Sequence, residues 1–192
     1  MTNEERLSKK LTCDQRQIIL GSLLGNGFIK RTDKNYYFVM KHSLKRFDWV
    51  RLKSLELNNF YSDFFKNKSS VVWRSICHPC FNEIHSSCYE GDKKVTMDWL
   101  NSLRDIAIAV WYGDSGIRVG RGKKNSCLRT QSFGLKGNKI ICDFFNEVGI
   151  FCNVNKNKRG EVIVFTVEGS RILAEKILFY WLPKFMWDII AY

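Results

Sequence analysis

Three positions place groups that could do chemistry at the ends of otherwise apolar runs. Asn26 follows Leu20-Gly21-Ser22-Leu23-Leu24-Gly25 and precedes Gly27. Asp114 and Ser115 follow Ile106-Ala107-Ile108-Ala109-Val110-Trp111-Tyr112-Gly113 and precede Gly116. An amide, a carboxylate and a hydroxyl all offer oxygen. Only the carboxylate is the charged, hard ligand that a divalent cation takes readily. Two other groupings suggest chemistry but lack its remaining parts. Cys77-His78-Pro79-Cys80, with His85 and Cys88, has zinc-type residues without a second clean pair, and reads as structural thiols beside a loop histidine. Gly113-Asp114-Ser115-Gly116 has the letters of a serine-nucleophile loop, yet it closes an apolar helix in a chain with only 3 histidines.

The elements that position these residues are set by spacing. Gly21 and Gly25 stand four apart in the first run, Ala109 and Gly113 in the second. Four residues is about one helical turn, so each small pair lies on one face. Two helices notched in this way can approach backbone to backbone, and each stops at a glycine. The expectation is that Asn26 and Asp114 arrive at the same end of a shared seam. The first helix is expected over 15–25, capped by Thr12 or Asp14.

Each run leads into a similar series of elements. Residues 28–31 and 36–43 form a hairpin turning at 32–35, with Tyr36, Phe38 and Met40 on one face and Tyr37, Val39 and Lys41 on the other. Residues 117–119 and 127–133 form a second, turning at 121–125. Amphipathic helices are expected over 46–57, with Phe47, Val50, Leu55 and Leu57 among the apolar positions, and over 139–148. Strands are expected over 71–76, 151–154 and 162–167, a helix or strand over 81–89, and a last helix over 170–182, stopped by Pro183. The order helix, hairpin, helix, strands, helix thus occurs twice, Asn26 to Asp114 being 114 − 26 = 88 residues. The expected division is a polar lead-in over 1–10, a first half over 11–95 and a second over 96–192.

Composition narrows the class. With 192 residues, 45% hydrophobic and 14% aromatic, the chain can bury a substantial core. A net charge of +12 points to a polyanionic partner, most often nucleic acid. No run is long enough to span a bilayer, and residues 1–6 lack a secretory core. Seven cysteines without framework spacing suit a reducing, intracellular compartment.

The two runs, each leading into a basic hairpin, resemble the LAGLIDADG homing endonucleases in their single-chain, two-repeat form, over about 11–192. The resemblance implies an α+β fold of two pseudo-twofold αββαββα repeats, with saddle-shaped antiparallel sheets and paired motif helices at the centre. It implies a monomer, intron- or intein-derived, that binds a double-stranded DNA target and cleaves it with Mg2+. The host would be a phage-infected or bacterial cytoplasm or an organelle. Acids ending the two helices hold the metal in that family. Here Asn26 stands where the first acid is expected, a neutral and weak ligand. The second acid has two registers. Pairing Asp114 with Asn26 is favoured by the small-residue face; the variant Trp-aromatic-x-Asp-Asp-Gly puts the metal position at Ser115 instead. The site candidates are therefore Asn26, Asp114 and Ser115, with Lys94 as the basic residue near the reacting water; Lys93, Lys41, Lys156 and Lys158 are further candidates for that role. The expectation is poor cleavage, nicking of one strand, or binding alone. A maturase that binds intron RNA and an inert DNA-binding protein are the alternatives.

A two-stranded ribbon fits the major groove. Lys30, Lys41, Arg118, Arg121, Arg129 and Gln131 are expected to face DNA, and Lys34, Lys123, Lys124, Lys158 and Arg159 to meet phosphate from turn tips.

Overall fold

The computed structural model describes residues 8–33 and 35–180. Most of the expected lead-in, Lys34, the Lys123 side chain and Pro183 lie outside the described residues.

The first central helix, α1 (Cys13–Leu24), starts at a capping box: Gln15 N donates to the Thr12 hydroxyl while the Gln15 side chain accepts from Thr12 N. Asp14 in the first turn suits the helix dipole. Gly25 ends the helix, its N–H donating to the Gly21 and Ser22 carbonyls. Residues 17–24 are buried on every side, as befits a helix inside the core.

Two strands, β1 (Gly27–Arg31) and β2 (Tyr36–Ser43), come next, then α2 (Phe47–Glu56), β3 (Tyr61–Lys66), β4 (Ser70–Ser75) and α3 (Cys80–Cys88). A short hairpin, β5 (Tyr89–Glu90) and β6 (Asp92–Lys93), and α4 (Met97–Asn101) lead to the second central helix, α5 (Asp105–Ser115). From there the pattern recurs as β7 (Gly116–Val119), β8 (Asn125–Leu128), α6 (Gly134–Glu147), β9 (Cys152–Asn157), β10 (Gly160–Phe165) and α7 (Val167–Ile177). Both four-stranded sheets are antiparallel with the same order, β1-β2-β4-β3 and β7-β8-β10-β9.

Alternation divides each sheet. Phe38, Met40, Val71 and Trp73 are buried on the helix side, while Lys30, Lys41 and Arg74 are exposed. In the second half Trp111 stacks on Phe145, with ring centroids 5.6 Å apart. Buried side chains of this size contribute about 1.5–3 kcal/mol each.

Buried glutamines of α1 finish other elements. Gln17 accepts from Arg104 N at 2.7 Å and donates to Ser102 O at 2.9 Å, fixing the entry to α5. Gln15 donates to Glu56 O at 2.8 Å, closing α2.

Several boundaries differ from those the sequence predicts. The strand expected over 127–133 stops at Leu128. Beyond it buried Thr130 and Asn138 bond each other, and the Asn138 amide donates to the Thr130 and Gly134 carbonyls, which turns the chain into α6 five residues before 139. The last helix begins before 170 because Thr166 caps it through Gly169 N. On α2 the buried face is Trp49, Val50 and Lys53, with Leu57 just beyond it; Leu55, expected to be inside, is 57% exposed.

Candidate functional site

The central helices α1 and α5 pack against each other as the small residues predict, but through different partners. A Cβ on Gly21 would lie 2.2 Å from Ala107 O, and one on Gly25 would lie 2.3 Å from Asp114 Cβ. Gly113 does not face the seam. Its open side holds the Trp49 ring, where a Cβ would stand 2.4 Å from Cζ2. The seam therefore runs along Ala107 and Asp114 rather than Ala109 and Gly113.

This corrects the register. Lys41 N donates to Asn26 O, and Arg129 N donates to Ser115 O, the same bond in the two halves. Gly27 opens β1 opposite Met40; Gly116 opens β7 opposite Leu128. Ser115 is thus the equivalent of Asn26, and Asp114 is the equivalent of Gly25. The spacing of 88 residues favoured from sequence is one short, because helix packing turns Asp114 toward the partner helix.

Asp114 and Asn26 do meet. Asn26 N donates to Asp114 Oδ2 at 3.3 Å, and the Asn26 amide donates to Asp114 O at 3.1 Å. The Asp114 carboxylate itself points inward and is 1% exposed. Its Oδ1 takes Lys53 Nζ at 2.6 Å and Trp49 Nε1–H at 2.6 Å, with His42 Nε2 at 3.1 Å. Lys53 is wholly buried and also donates to Ser22 Oγ at 3.1 Å. Burial alone would raise the Asp114 carboxyl, but Lys53 and His42 outweigh it and hold the group well below the usual carboxylate range. Burial pushes Lys53 down, an effect that Asp114 opposes. The acid expected to ligate metal is instead one side of a buried ion pair between the halves.

Around this lock lies a cleft of about 460 Å³, lined by Gly25, Asn26, Lys93, Ser115, Arg129 and Arg159 among others. Asn26 is exposed there, and Ser115 is nearly buried, its hydroxyl donating to Trp111 O at 3.0 Å. Lys93, rather than Lys94, reaches the mouth, where Nζ donates to the Leu23 and Gly27 carbonyls at 2.8 and 3.1 Å. Burial lowers its pKa, and Asp114 works against that. Lys94 is exposed and pairs with Glu90 instead. Arg46 donates to Gly113 O at 3.2 Å, and its pKa is lowered by burial and then by Arg129. The mouth therefore presents cations and neutral oxygens. Asp114, the carboxylate beside it, is already neutralised, so the donor set does not fit divalent metal and instead suits an anion such as phosphate.

The readout candidates divide between faces. Lys30, Lys41, Arg121, Lys124, Arg129, Lys158 and Arg159 are exposed, and Gln131 lines the cleft. Arg118 lies on the other face. It pairs with Ser126, which is buried against Tyr112 and Ser170 of the helices, so alternation turns Ile117 and Val119 outward and Arg118 inward. Sequence reading missed Lys53, His42 and Trp49. The one available signal was a lysine in line with Trp49 and Val50 on the apolar side of α2.

A sequence model of the LAGLIDADG DNA endonuclease family matches residues 16–173. The chain belongs to this family. It is 21% identical over 198 residues to a probable intron-encoded endonuclease 1 of Wickerhamomyces canadensis, covering 92% of this chain and 84% of that protein. It is 32% identical over 139 residues to Protein RecA of Mycolicibacterium flavescens, covering 69% of this chain and 32% of that protein. The chain thus spans about a third of the length of this RecA relative. Its fold is similar to that of the homing endonuclease I-WcaI bound to its DNA recognition sequence, with a TM-score of 0.86 at 18% identity, covering 98% of this chain and 92% of that one. Among the described residues, no helix is long and apolar enough to cross a membrane.

Proposed function

We propose that this LAGLIDADG chain is an intracellular, monomeric protein that binds a specific double-stranded DNA site along the exposed faces of its two sheets, and that it cleaves poorly or not at all. The observation carrying the second part is the equivalence of Asn26 and Ser115, two neutral residues where the family's chemistry calls for acids. Phosphodiester cleavage by divalent metal needs carboxylates beside the scissile phosphates. Asp114 does not supply one, because Lys53 and His42 hold it inside. The cations Lys93, Arg129 and Arg159 at the mouth suit the phosphates of a bound duplex.

The test is to select a target duplex by binding and assay it with Mg2+ or Mn2+, using the chain as it stands, Asn26→Asp, Ser115→Asp and the double variant. The chain as it stands should bind without making double-strand breaks. The double variant should gain cleavage, with nicking by the single variants. Full-rate double-strand cleavage by the unaltered chain would overturn the reading. Loss of both acids also suits a maturase. Tighter binding of intron RNA than of intronless target DNA in a gel shift would select that alternative.

A further inference from the structure

Strand β9 is the outer edge of the second sheet, and it carries Asn153, Asn155 and Asn157 at alternate positions. Alternate residues of a strand share a face. Their antiparallel partners are Val164, Val162 and Gly160. Asn155 and Asn157 line an open cleft of about 810 Å³, whose floor is apolar through Ile117, Val119, Val162 and Val164; Asn153 continues the same strand face beyond its rim. Arg129, Lys158 and Arg159 line the same cleft. All three asparagines are exposed. The Asn157 oxygen accepts from Arg159 N at 2.8 Å and is committed to the turn. The amides of Asn153 and Asn155 have no side-chain partner among the described residues.

We propose that this face reads an A·T-rich flank of the target, with Asn153 and Asn155 on adenines and the half-buried Val164 on a thymine methyl. The inference rests on the duplex-binding reading above. An asparagine amide matches adenine in the major groove by donating to N7 and accepting from the N6 amino group, and apolar side chains match the thymine methyl. A two-residue step along a strand advances roughly 6.6 Å, about two base-pair steps at 3.4 Å each. The two adenines therefore stand two base pairs apart. The cations of the cleft hold the flanking phosphates, leaving the asparagines and Val164 to specify sequence.

The experiment is binding-site selection by the whole chain from duplexes randomised across both flanks. One flank should emerge A·T-rich, with adenines two positions apart. Asn153→Ala and Asn155→Ala should each erase the preference at one of those positions, with roughly tenfold loss of affinity. Placing 7-deazaadenine at either position, which removes N7, should weaken the unaltered protein by a similar factor. That measurement does not depend on how a variant folds. A flank of G·C or of no preference, or unchanged affinity for 7-deazaadenine, would overturn the proposal while leaving duplex binding intact. Failure to retain any duplex would overturn both.

Discussion

The ends of the two central helices occupy equivalent places and are built from opposite materials. Gly25 closes one with no side chain, and Asp114 fills the space so left with a carboxylate. Behind Asp114, the first half supplies His42, Trp49 and Lys53, a charged cluster. In the second half, Thr130 is the neighbour of Arg129 as His42 is of Lys41, and it bonds Asn138 in a network that is buried, neutral and local. The difference shows how an internal repeat can lose its symmetry where symmetry is costly. Two carboxylates facing each other at the seam would repel, whereas one carboxylate facing a glycine can be satisfied from one side.

Removing the charge that balances Asp114 tests this most severely. Lys53→Met should cost about 3–5 kcal/mol in urea-induced unfolding, because it strands a buried carboxylate. Asn138→Ala, which disturbs the neutral counterpart, should cost about 1–3 kcal/mol. Equal losses would break the contrast. Gly25→Ala should cost about 1–3 kcal/mol by forcing a methyl onto Asp114 Cβ, and a melting curve would register it.

Acid should expose the same asymmetry more gently. The folded pKa of Asp114 is depressed below its unfolded value. Its contribution to stability is therefore fully present above the ordinary carboxylate range, about 4, and is lost progressively as pH falls from there toward the folded value. Urea midpoints measured from neutral pH downward should fall, and Asp114→Asn should flatten that fall. A slope unchanged in the variant would assign acid sensitivity to other groups. The smallest effect concerns the sheet faces. Arg129→Ala should weaken duplex binding and lower the salt slope by about 1, whereas Arg118→Ala should leave the slope alone.

Much of this architecture was legible in the chain. Small residues at helical spacing before a glycine announce the two central helices, and alternation in 36–43 announces which face of β2 is buried. The register was not legible, because Gly-Asp-Ser-Gly aligns with Gly-Asn-Gly in two ways and only the strand pairing separates them. Lys53 was hidden for a different reason. A lysine on an amphipathic helix is ordinarily solvated, and its burial depends on a carboxylate 61 residues away. Arg118 was misplaced because its face is set by its pairing with Ser126, a small residue turned toward the helices, and that pairing cannot be read from the hairpin's composition.

The unlike pairing of Gly25 with Asp114 makes the two halves non-interchangeable. Two copies of the second half would set acid against acid, and two copies of the first would leave an unfilled gap beside lysines lacking a counter-ion. Neither half could therefore pack against a copy of itself without redesign of its flank, and each is complete only beside its unlike neighbour.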